Sequence, residues 1–403
     1  MSSPFQNKVV LLGVTGSISA YKACELCSRI AQSGAKVYVA MTENSQKLIA
    51  PATFESLSGN PVITGMFEPY KLGPLSHISL THEANLFIIA PATANMIAKS
   101  AHGIADDWLS TALLASNAPV LWAPAMNPQM YLNPATQKNI EILKERGHYF
   151  IGPETGKTAC GEIGPGRMAE PIHIFEYADI LINPLKDFKG KKILITSGPT
   201  QEPIDPVRYI SNRSSGKMGK ALAVEALRRG AQVTVISGPV SEPLPYLAET
   251  VLVRTANEMY EEVIKRFADY DIFIGSAAVA DYSIKNPADE KHKQNGSMHH
   301  LELIPNPDII KKLGEIKRPN QITVGFAAET HHLIEYAQEK LKRKNLDLIV
   351  ANQVGGENCA FGSDYVYALM ITPNSQDEKP EYIPKSELTH RIFNRITQIL
   401  NKK

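Results

Sequence analysis

Apolar residues fall in short runs along this chain, and between the runs they recur three and four positions apart. The first pattern marks buried strands, the second helices with one face turned inward. Read this way, the first half predicts a strand over 8–12, a helix over 18–33 and a strand over 36–41. Helix and loop then lead to about residue 75. A strand over 86–90 follows, with a helix near 106–116, a strand over 119–122 and a helix over 134–146. The second half starts again with a strand over 192–195 and a helix over 220–229. Later strands fall at 322–326, 348–351 and 365–371, and a last helix lies near 387–400. Strands alternating with helices predict parallel sheets covered on both faces, an α/β fold.

The two halves open alike. Gly13-Val-Thr-Gly16-Ser17 follows one apolar run, and Thr196-Ser-Gly198-Pro-Thr200 follows another. Each reads as a strand entering a tight turn before a helix, where free backbone N–H groups and the helix dipole favour an anion. Ser33-Gly34-Ala-Lys-Val-Tyr-Val39 is echoed by Arg229-Gly230-Ala-Gln-Val-Thr-Val235, each with a glycine suited to a left-handed helix end. Such echoes arise from duplication or from phrases common to doubly wound folds, and both origins stay open. The polar Asn183-Pro-Leu-Lys-Asp-Phe-Lys-Gly190 reads as a linker, dividing the chain into 1–187 and 188–403. The expectation is two doubly wound domains in tandem.

Composition narrows the function classes. In 403 residues, 42 basic and 41 acidic side chains leave a net charge of +1, which lacks the basic face that nucleic acid requires. The longest apolar stretch, around 86–98, is broken by Pro91 and Asn95 and is too short to span a membrane. The N-terminal run reads as a first strand rather than a signal peptide. A count of 4 cysteines suits a reducing compartment, so a cytoplasmic enzyme is expected.

In the first half the turn Gly13-x-x-Gly16-Ser17 is not G-x-G-x-x-G, and Met41-Thr42 stands where a ribose-binding acid would end the second strand. A hydroxyl there suits a phosphate or a flavin better than NAD. Three further segments add to this. They are Ser76-His77-Ile-Ser-Leu before Ala90-Pro-Ala-Thr-Ala-Asn95, then Ala123-Pro124-Ala-Met126-Asn127-Pro-Gln-Met130, then Thr158-Ala-Cys160-Gly-Glu-Ile-Gly-Pro-Gly-Arg167-Met. Together, over roughly 5–185, they resemble the flavin-dependent cysteine decarboxylases, those acting on phosphopantothenoylcysteine above all. The resemblance implies a flavodoxin-like fold and FMN, lined by Gly16, Ser17, Thr42, Thr93, Ala94, Asn95 and Ala125. It implies that His77 is the base of an oxidation step and that Asn127 holds the substrate carboxylate. It also implies that Cys160, on a glycine-rich flap, returns a proton, with Met130 beside the substrate. Flavin oxidation of the cysteinyl thiol to a thioaldehyde would give the departing carboxylate an electron sink. Cys24-x-x-Cys27 sits in a helical pattern without a thioredoxin-like setting and reads as packing, as does Cys359.

The second half carries Ser197-Gly198-Pro-Thr200, Asn212-Arg-Ser214-Ser215-Gly216-Lys217-Met-Gly219, Ala277-Ala-Val-Ala-Asp281 and Glu290-Lys291-His-Lys293. Asn306-Pro307-Asp308-Ile309, Gly325-Phe326-Ala-Ala-Glu329 and Lys340-Leu-Lys-Arg-Lys344 follow. Ser214-Ser215-Gly216 before a helix is a phosphate cradle, though not a P-loop. The series, over about 190–400, resembles the CTP-using phosphopantothenate–cysteine ligases of bacteria, which implies a Rossmann-like ligase domain. The substrates would be 4′-phosphopantothenate, cysteine and CTP with Mg²⁺ or Mn²⁺. The carboxylate would be activated as an acyl-cytidylate, and the amine of cysteine would displace CMP. In this resemblance Lys291 serves activation and Asn212 holds the intermediate. Lys340 and Lys344, four apart, meet the CTP phosphates. Asp281, Phe326 and the turn Asn306, Pro307, Asp308, Ile309 hold sugar and base. The family's third lysine near Lys291 is replaced by Gln294, which leaves that position without a role. His299-His300 and His331-His332 lack the spacing of a helical metal site.

The two resemblances in this order match the bifunctional enzymes of coenzyme A biosynthesis, implying a trimeric decarboxylase and dimeric ligase in a dodecamer. Two other readings stand beside this one: a flavin-binding regulatory subunit without turnover, and a decarboxylase of peptide C-terminal cysteine. The presence of His77, Asn127 and Cys160 disfavours the first, and the fused ligase half disfavours the second.

Overall fold

A computed structural model of the chain describes residues 5–66, 76–182, 185–291, 300–354, 362–375 and 379–403, with the side chains of Ser76 and His77 outside the description. The chain forms two compact units that divide between Pro184 and Leu185.

In the first unit β1 (Val9–Val14), α1 (Ala20–Gln32), β2 (Lys36–Met41) and the short helices α2 (Glu43–Gln46) and α3 (Pro51–Ser58) come first. Next are α4 (Ser76–Glu83), β3 (Leu86–Ala92), α5 (Ala94–His102), α6 (Trp108–Ala115) and β4 (Val120–Pro124). The unit closes with α7 (Pro128–Leu132), α8 (Pro134–Glu145), β5 (Tyr149–Phe150), the hairpin β6 (Glu154–Lys157) and β7 (Ile163–Arg167), and α9 (Pro171–Ile182). The sheet runs β2-β1-β3-β4-β5 with every pair parallel, the flavodoxin-like order. β3 and β4 are buried along their whole length, as central strands covered on both faces must be. One core cluster joins Phe87, Ile89, Trp108, Trp122 and Leu143. The buried indole of Trp122 donates to His148 Nδ1 at 2.9 Å, so its one polar atom is satisfied.

The second unit contains β8 (Lys192–Ser197), the hairpin β9 (Gln201–Pro203) and β10 (Tyr209–Ser211), α10 (Lys217–Arg228), β11 (Gln232–Ser237), β12 (Glu249–Leu252) and α11 (Ala256–Phe267). Then come β13 (Ile272–Gly275), β14 (Tyr282–Ile284), β15 (Leu303–Pro305), α12 (Ile309–Ile316), β16 (Ile322–Glu329) and α13 (Leu333–Arg343). β17 (Leu348–Gln353), β18 (Tyr365–Ile371), β19 (Glu381–Pro384) and α14 (Lys385–Leu400) complete it. The main sheet runs β12-β11-β8-β13-β16-β17-β18-β19, parallel as far as β17 and antiparallel at β18 and β19. Its parallel part is the Rossmann order. At the base, Arg229 is buried, paired with Asp187 and stacked over Phe188 at 4.9 Å, so the start of the unit is tied to α10's end.

Gly34 (φ +93) and Gly230 (φ +88) both take the left-handed conformation expected of a helix end. The helix predicted over 220–229 is corrected to Lys217–Arg228. Gly216 at φ +81 supplies the N-cap, so the helix begins three residues earlier. The segment around His77, to which the sequence pattern assigns no element, forms α4. Among the described residues no helix is long and apolar enough to cross a membrane.

Candidate active sites

The first site lies at the C-terminal ends of β1 and β3, the point where the strand order reverses. Thr15 follows β1 and is 1% exposed. Its hydroxyl donates to the Pro91 carbonyl at 2.7 Å and accepts the Thr93 amide at 3.0 Å. That one side chain fixes the turn after β1 against the turn after β3. Gly16 is required by close approach, because a Cβ there would lie 2.7 Å from Asn44 Cβ. Ser17 donates its amide to Thr15 O at 2.8 Å, and the Thr42 amide donates to Val14 O at 3.1 Å. Thr93 is the N-cap of α5, accepting from Met96 N at 3.4 Å. Ala94 opens that helix, and exposed Asn95 follows. Ala125 donates to Ala92 O at 3.0 Å beside them. The segments read as flavin-lining in the sequence therefore lie together at the C-terminal end of the sheet.

The Thr42 hydroxyl oxygen is buried with no hydrogen-bond partner among the described residues. Buried hydroxyls are nearly always satisfied, so an unpaired one marks a place where the polar group of a bound ligand could supply the partner.

Against the end of β4 stands the β6–β7 hairpin. Met126 N donates to Gly166 O at 3.0 Å, and Cβ atoms at Gly166 and Gly164 would lie 2.2 Å from Met126 O and 2.9 Å from Pro128 Cβ. The glycines thus let the hairpin lie on the segment that ends β4. At its tip is exposed Cys160. Asn127 is the N-cap of α7, and its Oδ1 accepts the Gln129 amide at 2.7 Å. Its Nδ2 faces outward and donates to Cys160 Sγ at 3.2 Å and to Glu162 Oε2 at 3.1 Å. Thr158 Oγ1 lies 3.1 Å from the sulfur and donates to the Glu162 carbonyl at 2.9 Å. The thiol is held below its ordinary pKa, chiefly by the hydrogen bond with Thr158, then by the Glu162 backbone and the Asn127 amide. Burial and the Glu162 carboxylate oppose that shift.

His77 lies in the first turn of α4, with its side chain outside the description. Met130, on α7, is half exposed. Cys27 is fully buried in α1, and burial pushes its thiol up to about 12, in keeping with a packing role. Cys359 lies outside the described residues.

The second site is a cavity of about 530 Å³ at the C-terminal ends of β8, β13 and β16. The N-terminus of α10 closes on β8 with no room to spare, since a Cβ at Gly219 would lie 2.1 Å from Ser197 Oγ. That hydroxyl is buried and has no partner among the described residues. Asn212, Ser215, Lys217, Asp281, Phe326 and Lys340 stand on the cavity wall, with Lys385 beyond them. Lys340 Nζ donates to the Phe326 carbonyl at 2.8 Å. Burial, then the like charge of Lys344, pulls its ammonium below the usual lysine range. Asn306 donates through Nδ2 to Ala280 O at 2.9 Å and through its amide to Asp281 O at 2.8 Å, which fixes the turn beside the cavity.

Several candidates sit differently from their sequence-level expectation. Lys344 lies one turn beyond Lys340, whose carbonyl accepts its amide at 3.0 Å. It is the residue after the helix ends, paired with Asp308 at 2.7 Å. Asp308 caps α12, accepting Lys311 N at 3.0 Å. Burial would raise its carboxyl, but the bonds from Lys344 and Lys311 and the nearby lysine charges hold it low. The side chain of Ile309 lies in the core, Pro307 is half-buried beside it, and neither projects a polar group. The Asn212 amide hydrogens go to Val279 O at 2.9 Å and Ala278 O at 3.4 Å rather than standing free. Lys291 is exposed and directly precedes residues 292–299, so Lys293, Gln294 and His299 fall outside the description.

Sequence reasoning missed four residues. Thr15 was hidden inside its own turn motif, and Glu162 and Thr158 inside the flap motif. Lys385 carries no sequence signal, because only folding brings the start of α14 to this cavity. Lys385 donates to Ser363 O, and burial and the neighbouring Lys217 push its ammonium down. Lys217 itself pairs with Asp364 at 2.7 Å.

Two family models match the chain, "Flavoprotein" over residues 2–183 and "DNA/pantothenate metabolism flavoprotein C-terminal domain" over residues 188–400. The coenzyme A biosynthesis bifunctional protein CoaBC of Escherichia coli strain K12 is 48% identical over 360 residues, 89% of this chain and 89% of that protein. The protein of the same name from Bacillus subtilis strain 168 is 44% identical over 396 residues, 98% of this chain and 97% of that protein. A crystal structure of the C-terminal domain of a CoaBC protein is 38% identical, covering 54% of this chain and all of that one, with a TM-score of 0.44.

Proposed function

The chain belongs to the family of bifunctional coenzyme A biosynthesis proteins, a ligase and a decarboxylase in one polypeptide, and we propose that each of its two sites carries one of these reactions. It is a phosphopantothenate–cysteine ligase and a phosphopantothenoylcysteine decarboxylase, and its first half is a flavoprotein. We assign the decarboxylase to 1–187 and the ligase to 188–403.

FMN fits the first site. The orphan hydroxyl of Thr42 and the tight Gly16 turn are what a phosphate-bearing ligand at a switch point needs, with Ser17, Thr93, Ala94, Asn95 and Ala125 around it. When bound, FMN supplies the electron acceptor that makes loss of CO₂ feasible. The protein does the rest. Asn127 holds the substrate carboxylate by its amide, adding no charge of its own. His77 takes a proton, and Met130 flanks the substrate. Cys160 gives the proton on Sγ to the product carbon, and its lowered pKa eases that transfer. The observation that carries this assignment is the meeting of Asn127 and Cys160 at 3.2 Å.

In the second cavity the substrates are 4′-phosphopantothenate, cysteine and CTP, with Mg²⁺ or Mn²⁺ arriving on the triphosphate. Lys340 and Lys344 bind its phosphates, and Lys291 meets the charge developing on pyrophosphate. Lys217 and Lys385 add to the positive field of that wall. Asp281, Phe326 and the 306–309 turn hold the nucleoside, and Asn212 holds the acyl-cytidylate. We place the enzyme in the cytoplasm, with trimeric decarboxylase and dimeric ligase domains building a larger assembly.

The test is to supply 4′-phosphopantothenate, cysteine and CTP to the full chain. Pyrophosphate, CMP and CO₂ should appear in equal amounts with 4′-phosphopantetheine. Pyrophosphate without CO₂ would remove the decarboxylase assignment, and equal rates with ATP would remove the CTP assignment.

A further inference from the structure

The two amide hydrogens of Asn127 are both spent. Its Oδ1 is locked onto the Gln129 amide at 2.7 Å, so Nδ2 has only one orientation, and it donates to Cys160 Sγ and to Glu162 Oε2. A substrate carboxylate seated on this amide must displace one of the two. The natural loser is Glu162, because it is a carboxylate making the same charge-assisted bond from the same direction of approach. We propose that Glu162 is a positioning residue that occupies the substrate-carboxylate seat on Asn127 in the resting enzyme. Substrate and Glu162 exchange at that seat during each turnover. The inference rests on the assignment of Asn127 to the substrate carboxylate.

The hairpin geometry makes the exchange consequential. Glu162 is two residues from Cys160, and Thr158 joins both, touching the sulfur at 3.1 Å and the Glu162 carbonyl at 2.9 Å. Gly161 between them is at φ +88, so the tip is a tight turn whose two side chains move together. Binding of the substrate carboxylate frees Glu162 and loosens the tip. Departure of that carboxylate as CO₂ reopens the seat. Glu162 then returns to Asn127 and brings the Cys160 thiol alongside, at the moment when a proton donor is needed. The Glu162 charge also opposes the forces that lower the thiol's pKa.

The experiment uses the full-length holoenzyme with Glu162→Gln, which keeps the side-chain shape, and Glu162→Ala, which removes the competitor. Asn127→Ala first tests the underlying assignment by itself, since an unchanged KM for 4′-phosphopantothenoylcysteine would take the carboxylate seat away from Asn127. In both Glu162 variants KM for that substrate should fall roughly three- to tenfold, the value of one exchanged hydrogen bond. The midpoint of Cys160 alkylation by iodoacetamide should move to lower pH, since a nearby negative charge has gone. A hairpin merely weakened by the substitution would raise KM instead. A KM unchanged or raised in both variants overturns the proposal.

Discussion

The hydroxyl of Thr15 donates to the carbonyl of Pro91 at 2.7 Å, tying the turn after the first strand to the turn after the third. The same oxygen accepts the Thr93 amide at 3.0 Å, so one buried side chain satisfies two backbone groups and joins the ends of β1 and β3.

Thr15→Val keeps the shape and removes both bonds. Leaving buried Pro91 O and Thr93 N unsatisfied should cost about 1–3 kcal/mol of stability. FMN should also be released more easily. Denaturant unfolding checks the first outcome and fluorescence of released flavin the second. A variant with unchanged stability would show that water replaces the hydroxyl.

Thr42→Val should behave in the opposite way. Its hydroxyl has no partner among the described residues, so the FMN-free protein should be as stable as before or slightly more so. Affinity for FMN should fall by about tenfold, the loss of one hydrogen bond to a charged group. Equal affinity would place the hydroxyl away from the cofactor.

Lys340 should give the ligase an alkaline limit. Its pKa is pulled below the usual lysine value by burial and by Lys344. It is therefore charged at low pH and loses its proton earlier than an ordinary lysine as pH rises. KM for CTP should climb on that alkaline side. Lys344→Ala removes the like charge and should move the climb to higher pH. Lys340→Met should raise KM throughout and flatten the profile. A climb that stays in place in Lys340→Met would assign the titration to another group.

Lys291 and Asn212 should separate by step. Lys291→Gln should lower pyrophosphate release by roughly 10²–10³ in rate, the usual loss of one donor at a developing charge. Asn212→Asp should still release pyrophosphate but stall before the amide forms. Asn212 also holds the Ala278 and Val279 carbonyls, so the acid adds repulsion there and the variant should be less stable. Failure of both at the same step would end the division of labour.

The strand–turn–helix rhythm was legible because buried parallel strands leave uninterrupted apolar runs, as in β3 and β4. The segments around Asn127 and Cys160 stand out in the sequence, and folding sets the two side chains 3.2 Å apart. What escaped depends on distance in sequence. The pairing of Lys344 with Asp308 and the approach of Lys385 to the cavity join separate elements, and no local pattern records them. The start of α10 was misplaced because Gly216 reads as a loop residue until its left-handed φ shows it to be a cap. The helix at His77 is short and mixed in polarity, with no period to find.

In the proposed mechanism Cys160, held at Asn127, returns the proton that completes the decarboxylase cycle. The most direct measurement follows CO₂ and flavin absorbance together in the Cys160→Ser holoenzyme supplied with 4′-phosphopantothenoylcysteine. One burst of CO₂ is expected, after which the flavin stays reduced and little 4′-phosphopantetheine forms. Sustained turnover with the flavin returning to its oxidised spectrum would contradict it.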